Sequence, residues 1–512
     1  METNERTGQD YQERRLMKII NTEKLNPKSL KPLEREWVYN GLDCCVTYEV
    51  LDQLLPQLNS QTTKTYEFSQ ELQGPVLDMR LRGIKVDMAG RARAIEEYYK
   101  IYDRVESNLL RIAKEGYGYS GFEWQSTACL RTMFYDICQI QVIKSKEGRP
   151  TVNREALEKM ETQWPIARPI VVHMTALRDI KKRIDVLKTE VDTDHRIRTA
   201  YNIAGTTTGR FSSSFSEFGT GGNLQNVEEF LRQIFIADDG MKLANFDAEQ
   251  GESRVIGAIE WNLFHRGEYL DACESGDLHT KVSIMCEPRL PWTGDLAKDR
   301  EIAERPYYRH HDLRKLCKSI GHGSNYGGKP QTLNAMYKVD IPLIADFQSK
   351  YFKAFPAHHM WHNWVEEQLK AHGKLTTLTG RVRHFFGRRD DDKVIRQALD
   401  YDPQGSLSDI VNRGMINVWK ADLGQLLMQN HDSIVIQYPE EKEDEIVPQV
   451  LELLKYPIKL QHGRTLMIPY GCKTGWNWGE HSEANPDGLK KYKPNDQRSR
   501  QPKVHLLDRK LR

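Results

Sequence analysis

Two aspartates that lie far apart in the chain each stand beside a short apolar segment, and this pair constrains the fold strongly. Asp247 ends the run MKLANFD, and Asp432 lies in the turn before the alternating segment SIVIQ. If the two segments are neighbouring strands of one sheet, the two carboxylates meet. Oxygen ligands on adjacent strands suit Mg²⁺, which keeps waters and substrate phosphates in its shell. Because aspartates at strand ends are common, these two residues alone do not separate a metal site from two solvated turns.

The composition is that of a globular protein of 512 residues, with 39% hydrophobic and 29% charged residues. No apolar run approaches the roughly 20 residues that span a bilayer. The first residues, METNERTGQDYQERR, are too polar for a signal peptide. We therefore expect a cytoplasmic protein without a membrane partner. The eight cysteines form no CxxC pair, which favours reduced thiols over a zinc site, and a net charge of +2 means that any nucleic-acid surface is local.

Hydrophobic spacing predicts the main local elements. LEREWVYNGLDCCVTYEVLDQLLPQL and much of residues 88–200 read as helices, and LQGPVLDMRLRGIKVD reads as a helix leading into a strand at Ile84–Val86. RQIFIA and KLANF are strand candidates. Residues 204–226 are rich in Gly, Ser and Thr, which predicts a long loop of the kind that is usually functional or disordered.

A second element points to phosphate binding. In HHDLRKLCKSIGHGSNYGGKP, residues 310–330, a cation or a ring recurs every fourth position: His310, Arg314, Lys318, His322 and Tyr326. Cations at this spacing share one helix face and repel each other unless an anion lies between them. Arg and Lys in this order suit a triphosphate, and a ring further along suits a base. The alternative is an ordinary basic surface helix, but four glycines in and after it (321, 323, 327 and 328) indicate close approach of a ligand or a bend.

Taken in order, these stretches resemble the family A DNA polymerases, over about residues 66–481. The motifs that carry the resemblance are TTTGRFSSS with NLQN, FDAEQGESR, RKLCKSIGHGSNYGG, TLTGRVR, DPQGSLSDIVNR and NHDSIV. The resemblance implies an α+β fold of the right-hand type, with an antiparallel sheet in the palm and helical fingers and thumb. It also implies template-directed DNA synthesis by a two-Mg²⁺ mechanism, with primer-template DNA and deoxynucleoside triphosphates as partners.

The implied domains follow the motif order. They are a helical N-terminus with a truncated exonuclease remnant (1–60), the start of the palm (61–87), the thumb (88–200), the palm (201–275), the fingers (276–394), the palm again (395–481) and a flexible basic tail (482–512).

The resemblance also assigns roles by position. Asp247 and Asp432 would bind the metal ions, and Lys318 would bind the triphosphate and protonate the leaving pyrophosphate. The implied nucleotide-binding residues are Arg314, Lys318, His322, Tyr326, Glu252, Gln250 and His279. The implied primer-template contacts are Arg210, Asn223, Gln225, Asn226, Arg396, Gln404 and His431. Glu252 falls where the family has a Glu that blocks the ribose 2′-hydroxyl, which disfavours an RNA polymerase.

Three positions depart from the family pattern. His322 replaces the usual Phe or Tyr, so discrimination at the sugar 3′ position stays open. Ser433 replaces an acidic residue and receives no ligand role. Asp400 replaces a common Asn.

YNGLD, Tyr39–Asp43, is similar to the last motif of the 3′–5′ proofreading exonuclease, but no upstream D-x-E pair precedes it. A helix with a chance Tyr and Asp is the alternative. We expect a chain that polymerises without proofreading alone, with a separate exonuclease chain or a processivity factor as a further partner. The short front favours a phage origin and the host cytoplasm. A gap-filling or lesion-bypass polymerase and a catalytically inactive DNA-binding subunit stay open as alternatives.

Overall fold

The structure is a computed structural model that describes residues 26–145, 148–216, 219–309 and 311–494. The predicted role of His310, the first 25 residues and the end of the basic tail lie outside the described residues. The chain divides into two compact units, Met1–Glu67 and Phe68–Arg512. No helix in these described ranges is long and apolar enough to cross a membrane.

The first unit is built on the long helix α1 (Pro32–Leu54). None of the side chains of this helix is buried. The helix begins in a capping arrangement, because the Lys31 backbone N–H donates to Glu34 at 3.0 Å and Pro32 fills the first turn. The helix predicted in this segment is therefore confirmed. The helix α2 (Ser60–Glu71) follows.

The predicted helix and strand after residue 72 are present as α3 (Gln73–Arg82) and β1 (Ile84–Val86). Strand β1 lies between β2 (Arg196–Ile197) and β5 (Phe235–Ile236) in an antiparallel three-stranded sheet. The strand expected for RQIFIA, residues 232–237, is confirmed only at β5 (Phe235–Ile236), because its first three residues belong to the 3₁₀ helix Glu229–Ile234. The buried Leu231 and Ile234 are three residues apart, which matches the 3₁₀ repeat and not the alternation of a strand.

Residues 88–200 are mainly helical and have an apolar core of their own. The helices are α4 (Met88–Arg111), α5 (Thr127–Arg131), α6 (Arg154–Gln163) and α7 (Arg168–Leu187). The buried residues of this core include Leu109, Phe134, Met160, Met174 and Leu177. A separate core is what a thumb domain needs, and the proposed domain bounds stay a prediction.

A five-stranded antiparallel sheet, which we call the palm sheet, carries both aspartates. Its strand order is β11-β12-β6-β15-β16. The strands are β6 (Met241–Ala248), β11 (Gln425–Asn430), β12 (Ser433–Pro439), β15 (Tyr470–Gly475) and β16 (Lys490–Lys491). Side chains alternate between two apolar clusters, since Phe246 and Ile434 pack on one side and Leu243 and Val435 on the other. The predicted antiparallel sheet is thus confirmed.

The remaining elements surround this sheet. The helices are α8 (Gly251–Phe264), α9 (Glu268–Glu274), α10 (Leu278–Cys286), α11 (Leu296–Ala303), α12 (Leu313–Asn325), α13 (Pro330–Tyr337), α14 (Ile341–Ala354), α15 (Ala357–His372), α16 (Asp392–Lys420) and α17 (Glu443–Leu454). Four two-stranded pairs complete the set: β3 (Ala200–Asn202) with β4 (Ser212–Ser214), β7 (Pro306–Tyr308) with β8 (His311–Asp312), β9 (Lys374–Thr376) with β10 (Val382–His384), and β13 (Ile458–Lys459) with β14 (Thr465–Leu466). The region predicted as helical fingers therefore also contains two small hairpins.

Candidate active site

Asp247 lies on β6, and Asp432 lies in the turn that leads into the neighbouring strand β12. In the β6–β12 pair, Asp247 is directly opposite Ser433, the residue that follows Asp432. The backbone N–H of Ala248 donates to the carbonyl oxygen of Asp432 at 3.1 Å. Asp432 belongs to the tight turn between β11 and β12, in which His431 has a left-handed backbone with φ 57°. The sequence prediction that these strands are neighbours is confirmed.

The negative charge of Asp432 acts on Asp247. Desolvation in the floor of the cleft, followed by the negative charge of Asp432, raises the pKa of Asp247 to about 6, against the opposing effect of Lys473 and Lys318. Desolvation also raises the pKa of Asp432. Asp247 nevertheless stays exposed to solvent. A site that resists holding two negative charges is one that favours a cation.

The aspartates open into a cleft with a volume of about 600 Å³. Its walls come from the end of β6, the first turns of α8 and α10, and one face of α12. The lining residues used below are Asp247, Asp432, Glu252, Gln250, Asp277, His279, Arg314, Lys318, His322 and Lys491. The structure therefore brings both predicted metal ligands and most of the predicted nucleotide-binding residues into one space.

Arg314 is held by a partner that the sequence reasoning did not assign. Its Nε donates to Asp277 at 2.7 Å and its Nη2 at 3.1 Å. Asp277 also caps α10 by accepting from the backbone N–H groups of His279 and Thr280. Desolvation opposes ionisation, but hydrogen bonds from Arg314 and Thr280 hold the pKa of Asp277 below its usual value. The only sequence signal was the Asp that opens DLHTKVS.

The two other predicted phosphate-binding residues differ in charge state. Lys318 is exposed, and within the described ranges no salt bridge involves it. Desolvation, with the nearby positive charges of Lys318 and Arg314, lowers the pKa of His279 to about 4. His279 is therefore a neutral imidazole at pH 7 that donates one N–H.

Glu252 is the centre of a polar network. It forms an ion pair with Arg210 and accepts from the hydroxyl of Tyr326 at 2.6 Å. His322 Nε2 lies 3.7 Å from Glu252 Oε2, and its ring meets that of Tyr326 edge-on with the ring centroids 5.2 Å apart. Desolvation and the charge of Glu252 raise the pKa of Asp400. Glu252 is thus fixed in position by two side chains.

Two glycines of the basic segment, Gly323 and Gly328, are packed closely against protein atoms. A Cβ on Gly323 would lie 2.5 Å from Leu333 of α13, and one on Gly328 would lie 2.6 Å from the carbonyl oxygen of Gly323. The expectation that these glycines admit a ligand is therefore wrong at these two positions, because protein atoms fill the space.

The predicted primer-template residues fall into two groups. Asn226, Arg396 and His431 are exposed. Asn223 is exposed too, but it accepts hydrogen bonds from Ser213 at 2.7 Å and from the Gln225 backbone at 3.0 Å.

The other polar side chains are tied to protein groups. Gln225 is buried and donates to Gln429 at 3.2 Å, while Gln404 donates to Asp400 at 2.8 Å. Gln250, predicted to bind nucleotide, donates to the Gly276 carbonyl at 2.8 Å and accepts from the Leu278 backbone at 3.3 Å. Gln250 thus bonds to the backbone at the cleft, whereas Gln225 and Gln404 are engaged with other side chains.

The residues fit a magnesium site of a particular kind. Among the described residues, no group of three or more His, Cys, Asp or Glu side chains is arranged to hold a metal ion. One aspartate on a strand and one in the adjoining turn supply few ligands, which suits Mg²⁺ because this ion keeps several waters and binds substrate phosphates. The raised pKa of Asp247 is the structural sign that positive charge is favoured there.

Comparison with known proteins gives one consistent family. The model of DNA polymerase family A matches residues 94–480. DNA polymerase I of Synechocystis is 25% identical over 492 residues, which cover 88% of this chain and 46% of that protein. DNA polymerase I of Bacillus caldotenax is 26% identical over 441 residues, which cover 80% of this chain and 46% of that protein. The chain thus spans about half the length of these curated relatives.

A solved structure shares the fold. The polymerase domain of Pol1 from M. smegmatis, solved in complex with DNA primer-template and dNTP, superposes with a TM-score of 0.64 at 23% identity. The superposition covers 80% of this chain and 70% of that one. The mixed fold of helices around an antiparallel sheet is therefore the one that the sequence predicted.

Proposed function

The chain belongs to DNA polymerase family A, and on this premise we propose that it extends a DNA primer along a template by adding deoxynucleotides to the 3′-hydroxyl. One observation carries the proposal: a single cleft contains Asp247, Asp432 and the cationic face of α12. Such a cleft joins a site for divalent cations to a site for phosphates, which is what phosphoryl transfer requires.

Asp247 and Asp432 are the proposed metal ligands. When bound, two Mg²⁺ ions would acidify the primer hydroxyl and neutralise the charge that develops on the phosphate. The chain itself positions the two ligands. The hydrogen bond from the Ala248 backbone N–H to the Asp432 carbonyl oxygen fixes the two strands relative to each other. Proximity of the two negative charges makes the ligands selective for a cation.

The nucleotide's phosphates would bind Arg314, Lys318 and His279. Asp277 engages two N–H groups of Arg314, which leaves three of its five for phosphate oxygens. Neutral His279 can donate without repelling the two cations beside it. Lys318 carries a proton on Nζ that it can pass to the leaving pyrophosphate oxygen.

Glu252 is the proposed selector of deoxynucleotides. Its carboxylate is held by Arg210 and Tyr326, so a ribose 2′-hydroxyl would meet a group that cannot move aside easily. Exposed Asn223, Asn226, Arg396 and His431 are the proposed contacts to primer-template DNA. Arg210 would act mainly through Glu252.

We keep a further protein partner as a proposal. Helix α1 exposes several large apolar side chains, among them Trp37 at 49% and Tyr48 at 69%, and exposed apolar groups of this kind favour an interaction surface. A chain that supplies exonuclease activity, or a processivity factor, would bind there. The exonuclease remnant and the phage origin stay predictions.

Primer extension tests the proposal. Labelled matched and mismatched primers are incubated with template, deoxynucleotides and Mg²⁺, with EDTA in a parallel reaction. We expect extension of the matched primer that EDTA abolishes, and no shortening of the mismatched primer. Absence of extension by the wild-type chain would refute the proposed activity, and efficient trimming would refute the absence of proofreading.

A further inference from the structure

The palm sheet has an outer strand that lies beyond the family match. The match ends at residue 480, and β16 (Lys490–Lys491) follows it and pairs with β15. The Tyr492 backbone N–H donates to the Cys472 carbonyl at 2.9 Å, and the Leu489 N–H donates to the Gly479 carbonyl at 2.6 Å. These backbone hydrogen bonds attach residues 489–492 to the edge of the palm sheet.

The register places one lysine of this strand on the same face as Asp247. Lys491 is opposite Lys473, and Lys473 is opposite Asn245, two residues before Asp247. Directly opposite residues share a face, as do residues two apart in one strand. The charge of Lys473 is felt at Asp247, whose pKa it lowers against the larger effect of desolvation. Lys491 accordingly lines the cleft with Asp247, Arg314 and Lys318.

The charge of Lys491 has no protein partner in the described part of the chain. Lys473 pairs with Glu480, whereas no ion pair or hydrogen bond involves the Lys491 ammonium group, which is exposed. Two lysines directly opposite each other on one face repel and destabilise the pair. An anion in the cleft would offset this repulsion.

We propose that Lys491 binds the polyphosphate of the incoming nucleotide, as a phosphate-binding residue supplied from outside the family match. The inference rests on the proposed function. The cleft that Lys491 lines contains the candidate triphosphate residues Arg314, Lys318 and His279. The candidate primer-template residues Asn223, Arg396 and Gln404 are not among those that line it, which favours the nucleotide over the DNA backbone.

The test compares Lys491→Ala with Lys490→Ala. Lys490→Ala removes the same charge from the same strand. The Lys490 side chain lies on the opposite face, because successive residues of a strand alternate. We expect Lys491→Ala to raise the KM for deoxynucleotides about five-fold and to weaken inhibition by pyrophosphate by a similar factor. Lys490→Ala should leave both unchanged, and Lys491→Arg should restore most of the binding.

The outcomes are separable. An unchanged nucleotide KM in Lys491→Ala overturns the inference while leaving the proposed function intact, provided that the wild-type chain extends primers. A weaker Kd for primer-template without a change in nucleotide KM also overturns it, because it assigns Lys491 to the DNA backbone. If thermal unfolding shows that Lys491→Ala does not fold, Lys491→Met, which keeps an unbranched side chain of similar length and removes the charge, provides the same comparison.

Discussion

Ser433 lies directly opposite Asp247 in the palm sheet, and the Asp432 carbonyl accepts from the residue after Asp247. The two candidate metal ligands are thus positioned by backbone hydrogen bonds between adjacent strands. Asp247 is on a strand and Asp432 is in the two-residue turn between two strands, so the sheet fixes both positions more precisely than a long loop would. The negative charges of the two carboxylates also repel each other, since Asp432 contributes to the raised pKa of Asp247.

Replacing Asp432 by Asn should separate activity from stability. We expect the rate of primer extension to fall on the order of 10³-fold, because a charged metal ligand is lost. The metal-free protein should at the same time melt at a higher temperature, because the repulsion with Asp247 is gone. Time courses of primer extension with Mg²⁺ measure the rate, and thermal unfolding in EDTA measures the melting temperature of the metal-free protein.

Asp422→Asn is the matched control for this substitution, because Asp422 is an exposed turn residue. It should change neither property. A variant Asp432→Asn that extends primers at the wild-type rate would remove Asp432 from the site.

The stability of the metal-free chain should depend on pH through Asp247. Its pKa is about 6 in the folded chain and about 3.9 in the unfolded chain, so the folded state binds more protons between these values. The contribution of Asp247 to stability is therefore fully present below pH 4 and is lost as the pH rises towards 6. Urea unfolding at pH 4.5 and 6.5 in EDTA measures it.

The effect of Asp247 is read as the difference between the wild type and Asp247→Asn, since other groups also titrate. The free energy of unfolding of the wild type, relative to the variant, should be lower at pH 6.5 than at pH 4.5. Mg²⁺ should reduce this difference. A difference that is constant across the two pH values, or one of opposite sign, contradicts the raised pKa.

Local patterns predicted part of this structure well. The strand Ile84–Val86 and the alternating segment after Asp432 follow from side-chain periodicity, which is a local property. In RQIFIA the strand is limited to Phe235 and Ile236, because a short apolar run carries no periodicity that separates a strand from a turn of helix. The approach of the strands that carry Asp247 and lead out of Asp432 could be anticipated, because each aspartate stands beside a strand with a clear pattern.

What the sequence could not supply depends on contacts between distant residues. Asp277 bonds to a side chain 37 positions away, and no local pattern distinguishes it from other acidic helix caps. Strand β16 consists of two lysines, and lysine has a low strand propensity. These residues form a strand because β15 offers a free edge for pairing. The buried position of Gln225 likewise depends on Gln429, which is on a separate strand.

Sugar selection should depend on Glu252. Glu252→Ala removes the carboxylate that Arg210 and Tyr326 hold, so we expect the preference for deoxynucleotides over ribonucleotides to fall roughly 10–100-fold. Single-nucleotide incorporation with each sugar measures the ratio of the two kcat/KM values.

Tyr326→Phe provides the graded comparison, because it removes one hydrogen bond to Glu252 and keeps the ring. Its preference should fall by less than that of Glu252→Ala. An unaltered ratio in Glu252→Ala would assign discrimination to another group, and His322 is the nearest candidate at 3.7 Å.

The ion pair between Arg314 and Asp277 should control nucleotide affinity. Asp277→Asn removes the charge that orients Arg314 through two hydrogen bonds. Asn caps helices about as well as Asp, so α10 should stay intact and the melting temperature should change little. We expect the nucleotide KM to rise roughly 3–10-fold, with the affinity for primer-template unchanged. Asp295→Asn, at the cap of α11, controls for the effect of changing a helix cap, and an Asp277→Asn variant with wild-type KM would show that Arg314 does not depend on Asp277 for its position.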